Sequence, residues 1–343
     1  MNKTRKLIGL LLALMLLLAA CGGGGGETPP PPAPNAGDED NAGPDASGDQ
    51  GVTFNIGVID LVEHPALAAA FEGFQAALTG QGIAANFDYQ NAQGDTATLA
   101  TIAQRFVNNE VDLIFAIATP SAQAAASETS TIPIVGSAIT DYEAARLVES
   151  NEAPGGNVTG ASDMNPIEAQ IELILEFLPE VETLGILYSS NEPNSVVQAE
   201  IARQVAESLG LSVDVGTVTT TIDVQQVTLS LAGRVDAIYI PTDNTLANAM
   251  SVVGQISLET GTPVFAAEEN MTMGGGVATL SVNYFDLGYQ SGLMAAQILR
   301  GEGEPATMPI QFAQGYNYIV NGFMAESLNI PIPDRLQEYI WEE

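Results

Sequence analysis

The chain has 343 residues, 42 of them acidic and 9 basic, for a formal net charge of −33, with a single cysteine and a single histidine. Nucleic acids and anionic lipid headgroups need a basic face on a partner, so this balance excludes both as ligands. One cysteine excludes an internal disulfide, and one isolated histidine leaves neither a nucleophile–base pair nor a metal-ligand spacing, so no cofactor, no metal and no enzymatic role are expected.

The amino terminus combines Lys3, Arg5 and Lys6 with an apolar run from Leu7 to Leu18 that ends in Leu18-Ala19-Ala20-Cys21. A charged start, an apolar core of secretory length and a small-residue cleavage site make residues 1–20 a signal peptide; the run is shorter than the roughly 20 residues a spanning helix needs. A cysteine directly after Leu-Ala-Ala stands where bacterial lipoproteins are acylated. Cys21 is therefore expected to carry a lipid that anchors the chain outside the cytoplasm, at the cell surface or in the periplasm. Residues 21–51 are rich in glycine, proline, aspartate and asparagine with almost nothing to bury, which predicts a flexible tether. Beyond residue 20 the chain holds six arginines, no lysine and all 42 acids. Acids so dispersed describe a surface rather than a cation site.

Residues 52–343 are too many for one ordinary core, so two lobes are expected. Short β-rich runs at Phe54–Ile59, Asp112–Ile117 and Ile132–Val135 alternate with helix-period stretches, one of which sets Leu67, Phe71, Phe74 and Leu78 on one face. That rhythm predicts βαβ units and parallel sheets covered by helices on both faces. The second half repeats the first. Ile56–Ile59 is echoed by Leu184–Leu187, Val111–Phe115 by Val235–Tyr239 and Ile132–Val135 by Thr262–Phe265, at offsets of 128, 124 and 130 residues. Three echoes in register predict two Rossmann-like lobes. Small molecules bind such sheets beyond the carboxyl ends of the strands, so the turns that start at Ala118 and Thr242 are expected to face each other across a cleft.

Catalytic chemistry has little support. His64 lies in a turn before a helix and is expected to be solvated, Glu268-Glu269 is one carboxylate pair among many, and Gly274-Gly275-Gly276 lacks a phosphate-loop spacing and reads as a turn. The turns suit a zwitterion instead. In Thr119-Pro120-Ser121 a proline in the first helical turn leaves amides that suit a carboxylate, with two hydroxyls beside them, unless Thr119 is only a cap. Asp243, at the matching place in the second half, suits either an ammonium group or a helix N-cap.

Val62–Leu67 (VEHPAL), Tyr89–Asp95 (YQNAQGD), Ala116–Pro120 (AIATP), Pro154–Gly160 (PGGNVTG), Pro241–Thr245 (PTDNT) and Tyr284–Gln290 (YFDLGYQ) together resemble the ABC-transporter substrate-binding proteins of the tryptophan/tyrosine-type family, in order over residues 53–332. The resemblance implies a type I periplasmic-binding-protein architecture, with three chain crossings and hinge closure. It implies a first crossing near Val158–Asp163, a return near Asn283, a lobe 1 of residues 52–161 plus 284–311 and a lobe 2 of residues 162–283 plus 312–343. By motif position it implies Glu63, Thr119, Ser121, Gln123, Thr140, Asp141, Asp163, Asp243, Asn244 and Thr245 as cleft residues, with Glu268 and Asn283 less strongly. Related chains often carry an acid where Asn283 stands. Tyr142, Tyr188, Phe265 and Tyr284 are candidates for an aromatic wall, against the plainer reading of core aromatics.

The function implied is that of an extracytoplasmic, membrane-anchored binding protein that delivers an amino acid, such as tryptophan, tyrosine or phenylalanine, to an ABC permease. A monomer is expected to suffice. The rivals are a ligand-sensing lipoprotein that signals to a receptor and an extracytoplasmic enzyme on the same scaffold.

Overall fold

The computed structural model describes residues 52–341; the signal peptide, Cys21 and the tether lie outside these. In chain order the first elements are β1 (Thr53–Asp60), α1 (Pro65–Gly80), β2 (Ala84–Asn91), α2 (Thr96–Asn108), β3 (Leu113–Ile117), α3 (Thr119–Glu128), β4 (Ile134–Ile139) and β5 (Val158–Ser162). Then come α4 (Ile167–Phe177), β6 (Thr183–Ser189), α5 (Pro193–Ser208), β7 (Ser212–Val218), α6 (Thr221–Ala232), β8 (Ala237–Ile240), α7 (Asn244–Ala247), α8 (Met250–Thr260), β9 (Val264–Ala266), α9 (Glu269–Met273) and β10 (Ala278–Ser281). The chain finishes with α10 (Tyr284–Leu299), β11 (Gln311–Phe312), β12 (Asn317–Asn321), α11 (Gly322–Ser327) and β13 (Ile340–Trp341).

The sequence echoes are structural. The first sheet runs β11-β5-β4-β3-β1-β2 and the second β7-β6-β8-β9, so β2-β1-β3-β4 and β7-β6-β8-β9 have the same order, all parallel. A third, small sheet pairs β10 antiparallel with β12 and β12 parallel with β13. Every residue of β3, Leu-Ile-Phe-Ala-Ile, is buried, as a strand covered on both faces must be. One face carries Phe74 of α1 stacked on Phe115 at 3.8 Å, and the other carries Leu99, Ala103 and Phe106 of α2. Each large apolar side chain so buried contributes roughly 1.5–3 kcal/mol.

Three crossings join the lobes: from β5 to α4, from β10 to α10, and from β11 to β12. Ser162 and Phe312 pair with each other at the edge of the first sheet. The helix α10 returns to pack along α1. The contact is so close that a Cβ on Gly288 would meet the Ala70 carbonyl and one on Gly73 the Phe285 carbonyl, so glycine is required at both places. This packing fixes Tyr284, the first residue of α10, over the crossings.

Candidate functional site

Residues beyond the carboxyl ends of β1, β3 and β4 meet those beyond β6 and β8 around two pockets that share Asn244, an inner and an outer level of one cleft. The inner level is a cavity of about 20 Å³, lined by His64, Leu67, Ala138, Asp163, Asn194, Asp243, Glu268 and Tyr284 among others. The outer level is about 570 Å³ and is lined from one lobe by Leu61, Val62, residues 93–96 and Pro120, and from the other by Asn191, Glu192, residues 219–221, Asn244, Thr245 and Asn248. That size suits a small organic ligand. A larger groove of about 930 Å³ lies on the second lobe between α8, α11 and the C-terminal strand. It belongs to one lobe and lies away from the strand ends.

Two strained residues shape the first lobe's side. Ala118 at the end of β3 and Ala138 within β4 have φ of +77° and +56°, conformations that cost a residue with a Cβ and that cluster at ligand sites. Ala118 leads into α3, whose start has no side-chain cap. Its hydroxyls, Thr119 Oγ1 and Ser121 Oγ, are buried and have no hydrogen-bond partner among the described residues, and the same is true of Ser137 Oγ on β4. An uncapped helix start with free hydroxyls is an anion-binding arrangement, and here no arginine lines either level of the cleft.

The second lobe presents acids, most of them already engaged. Asp243 N-caps α7: Oδ1 accepts from Leu246 N at 2.8 Å and Oδ2 from Ser189 N at 2.6 Å, so the N-cap alternative is the one realised. Burial, then the charge of Glu192, raises its carboxyl well above the usual range. Glu192 itself accepts from Asn244 N and Nδ2 and from Thr245 N and Oγ1 at 2.7–3.0 Å, so Asn244 and Thr245 line the outer level with their donors turned to Glu192. Glu268 caps α9 through Asn270 N, Asn270 Nδ2 and Met271 N, and burial raises it.

Asp163 stands at the first crossing with 1 % exposure, and Tyr284 Oη donates to its Oδ2 at 2.9 Å. Burial raises this carboxyl, partly offset by the Thr140 and Tyr284 hydroxyls, and Oδ1 has no hydrogen-bond partner among the described residues. Thr140 is buried beside it and accepts from Gln198 of α5 at 3.4 Å, a contact between the lobes. Asn165 ties the same crossing to the second lobe, donating to Thr242 Oγ1 and accepting from Val282 N.

Seven expected residues line neither level of the cleft: Thr119 and Ser121, buried on either side of Pro120, Thr140, also buried, and Glu63, Gln123, Asp141 and Asn283. Glu63 is exposed and lines neither level. Gln123 donates to Ala145 O and Asp141 accepts from Ala144 N, so both hold the turn after β4. Asn283 caps α10 through Asp286 N and faces a separate groove with residues 313–317. Gln123, Asp141 and Asn283 are each satisfied by backbone, a use that motif position does not distinguish from ligand contact. Tyr142 and Phe265 are core residues and Tyr188 packs against the core, which leaves Tyr284 as the expected aromatic that lines the cleft.

Conversely, His64 is not simply solvated. It caps α1 with Nδ1 accepting from Ala66 N, lines the inner level, and is lowered to about 4 by burial. Glu192 and Asn194 were also unforeseen; the acidic residue ahead of a proline at a helix start was the available signal for Glu192.

The chain matches the family of ABC transporter substrate binding proteins over residues 55–342. It is 37 % identical over 280 residues, 80 % of this chain and 81 % of the other, to the tyrosine-binding protein of Clostridioides difficile strain R20291. Among solved structures it is similar to the ABC domain from Streptococcus pneumonia in complex with L-Trp, with a TM-score of 0.82 at 35 % identity, covering 84 % of this chain and all of that one. It is also similar to the ligand-free, open form of a substrate-binding protein with adhesive properties from Clostridium difficile, with a TM-score of 0.66 at 40 % identity, covering 84 % and 98 %. With the doubled parallel lobes and three crossings, these matches establish that the chain belongs to the ABC transporter substrate-binding protein family, has its type I periplasmic-binding-protein fold, and is a binding protein rather than an enzyme.

Proposed function

We propose that the protein is an extracytoplasmic lipoprotein, anchored through Cys21, that closes its two lobes on a zwitterionic amino acid with an aromatic side chain and hands it to an ABC permease. The observation that carries the ligand class is the uncapped start of α3, whose Pro120 lines the outer level and whose flanking buried hydroxyls, Thr119 and Ser121, have no hydrogen-bond partner among the described residues, with no arginine lining the cleft. A carboxylate takes those donors, and the carboxylates around the inner level suit the ammonium at the other end of the same molecule. The outer level holds the side chain, with the aromatic preference supported by the ligands of the two relatives named for tyrosine and L-Trp.

Closure is the mechanism. Contacts from both lobes exist together only when the cleft is shut, so ligand binding shifts the population toward the closed form. In support, the chain superposes better on the L-Trp complex than on the open, ligand-free relative, although it is more identical in sequence to the latter.

The test is thermal unfolding of the purified protein, refolded to strip carried ligand, against the twenty amino acids and a panel of peptides, sugars and purines. A true ligand at a hundredfold excess over its dissociation constant is expected to add about 2.7 kcal/mol of stability. Stabilisation by tyrosine, tryptophan or phenylalanine supports the reading, and stabilisation only by another class discards it.

A further inference from the structure

Five buried carboxylates lie at the strand ends around the cleft: Asp60, Asp163, Glu192, Asp243 and Glu268. A cationic ligand group needs one with an oxygen still free. Both oxygens of Glu192, of Asp243 and of Glu268 already accept from backbone amides. Among the described residues, two buried carboxylate oxygens remain without a partner, Asp60 Oδ1 and Asp163 Oδ1. Asp60 lines neither level of the cleft; its carboxylate is turned to Tyr89, Asn91 and the amides of its own turn at Leu61 and Val62. Asp163 lines the inner level beside Glu268, with the Tyr284 and Thr140 hydroxyls on its carboxyl and no arginine among the lining residues.

We propose that Asp163, rather than Asp243, receives the ligand's ammonium group, and that this contact makes the hinge crossing itself the sensor of a cationic ligand. The inference rests on the reading that the ligand is an amino acid. The physical logic is that a carboxylate closed off from water without a counter-charge opposes closure, and a ligand that supplies the charge removes the opposition. Asp163 sits where the chain first leaves the first lobe, and its other oxygen is held by Tyr284 where the chain returns. Neutralising it therefore acts on two of the three crossings at once. A ligand that lacks a cation, or that carries an acylated amine, leaves the charge bare and is rejected even when its ring and carboxylate fit.

The experiment is calorimetric titration of the purified protein with L-tyrosine and with its desamino analogue, 3-(4-hydroxyphenyl)propanoate, for wild type, Asp163→Asn and Asp243→Asn. Wild type is expected to prefer tyrosine by about 100-fold, the usual scale for a buried, hydrogen-bonded charge pair. Asp163→Asn, which is isosteric and still accepts from Tyr284, is expected to bring the two ligands within about tenfold of each other. Asp243→Asn is expected to lower the unfolding midpoint but to keep the preference. Full preference retained in Asp163→Asn, or its loss in Asp243→Asn instead, overturns the assignment while leaving amino-acid binding intact. Failure of wild type to bind tyrosine or any other amino acid overturns the functional reading, and the assignment falls with it. Should Asp163→Asn fail to fold, Glu268→Gln serves as the second variant; loss of the preference there moves the ammonium site to Glu268 and refutes the proposal, while its retention upholds the exclusion of Glu268.

Discussion

Tyr284 Oη donates to Asp163 Oδ2 at 2.9 Å, so the first residue of the helix that returns to the first lobe holds the residue at which the chain leaves it. Tyr284→Phe removes one hydrogen bond to a buried acid and leaves the rest of the ring in place. The expected loss is about 1–3 kcal/mol in urea unfolding at neutral pH. A change below a few tenths of a kcal/mol means that the Thr140 hydroxyl suffices to hold the acid.

The start of α3 separates binding from stability. Thr119 and Ser121 hydroxyls make no hydrogen bond within the described residues, so Thr119→Val and Ser121→Ala are expected to leave the ligand-free protein as stable as wild type or slightly more so. Affinity for the amino acid is expected to fall by roughly tenfold in each, the worth of one hydrogen bond to a charged group. Unchanged affinity in both variants excludes this helix start as the carboxylate site.

Close packing of α1 on α10 is unforgiving. At Gly288 a Cβ has the backbone carbonyl of Ala70 in its way rather than a movable side chain. Gly288→Ala is expected to cost about 3 kcal/mol or more, beyond ordinary overpacking, because one helix must shift bodily. Gly82→Ala makes the contrast: its space is open and only its φ of +70° opposes the change. Comparing the two unfolding midpoints checks the claim; equal losses refute it.

Burial raises the Asp60 carboxyl from 3.8 to about 6, against the hydrogen bonds from Tyr89 and Asn91. A carboxyl raised in the folded state holds its proton more tightly there, so its contribution to stability is complete below 3.8 and is lost as pH rises through about 6. Asp60→Asn, which never ionises, is expected to gain on wild type by roughly 2 kcal/mol between about pH 4 and about pH 7. His64, lowered from 6.5 to about 4, has the opposite sign, since the unfolded chain takes up its proton first as pH falls. It is present in both proteins and cancels from the difference. Urea unfolding across this range tests the prediction, and a pH-independent difference refutes it.

Much of the architecture is legible in the sequence, because it rests on local patterns. Apolar runs such as Leu113–Ile117 announce strands buried on both faces, and the echo of Ile56–Ile59 in Leu184–Leu187 announces the doubled lobe that the matching strand orders display. The turns at Thr119 and Asp243 were also correctly placed at strand ends, because a βαβ unit leaves little freedom about where its loops lie.

Which polar side chains in those turns remain available was decided by the tertiary structure alone. Asp243, Asn283 and Asp141 have the residue types of a binding site, yet each is consumed by an amide within three residues or across one strand end. Asp163 Oδ2 is taken by Tyr284, more than a hundred residues away on a helix that glycines hold against α1, while Oδ1 has no partner among the described residues. Hydrophobic periodicity is a property of short segments and survives in the sequence; the satisfaction of a buried polar group depends on partners that only folding brings within 3 Å or so.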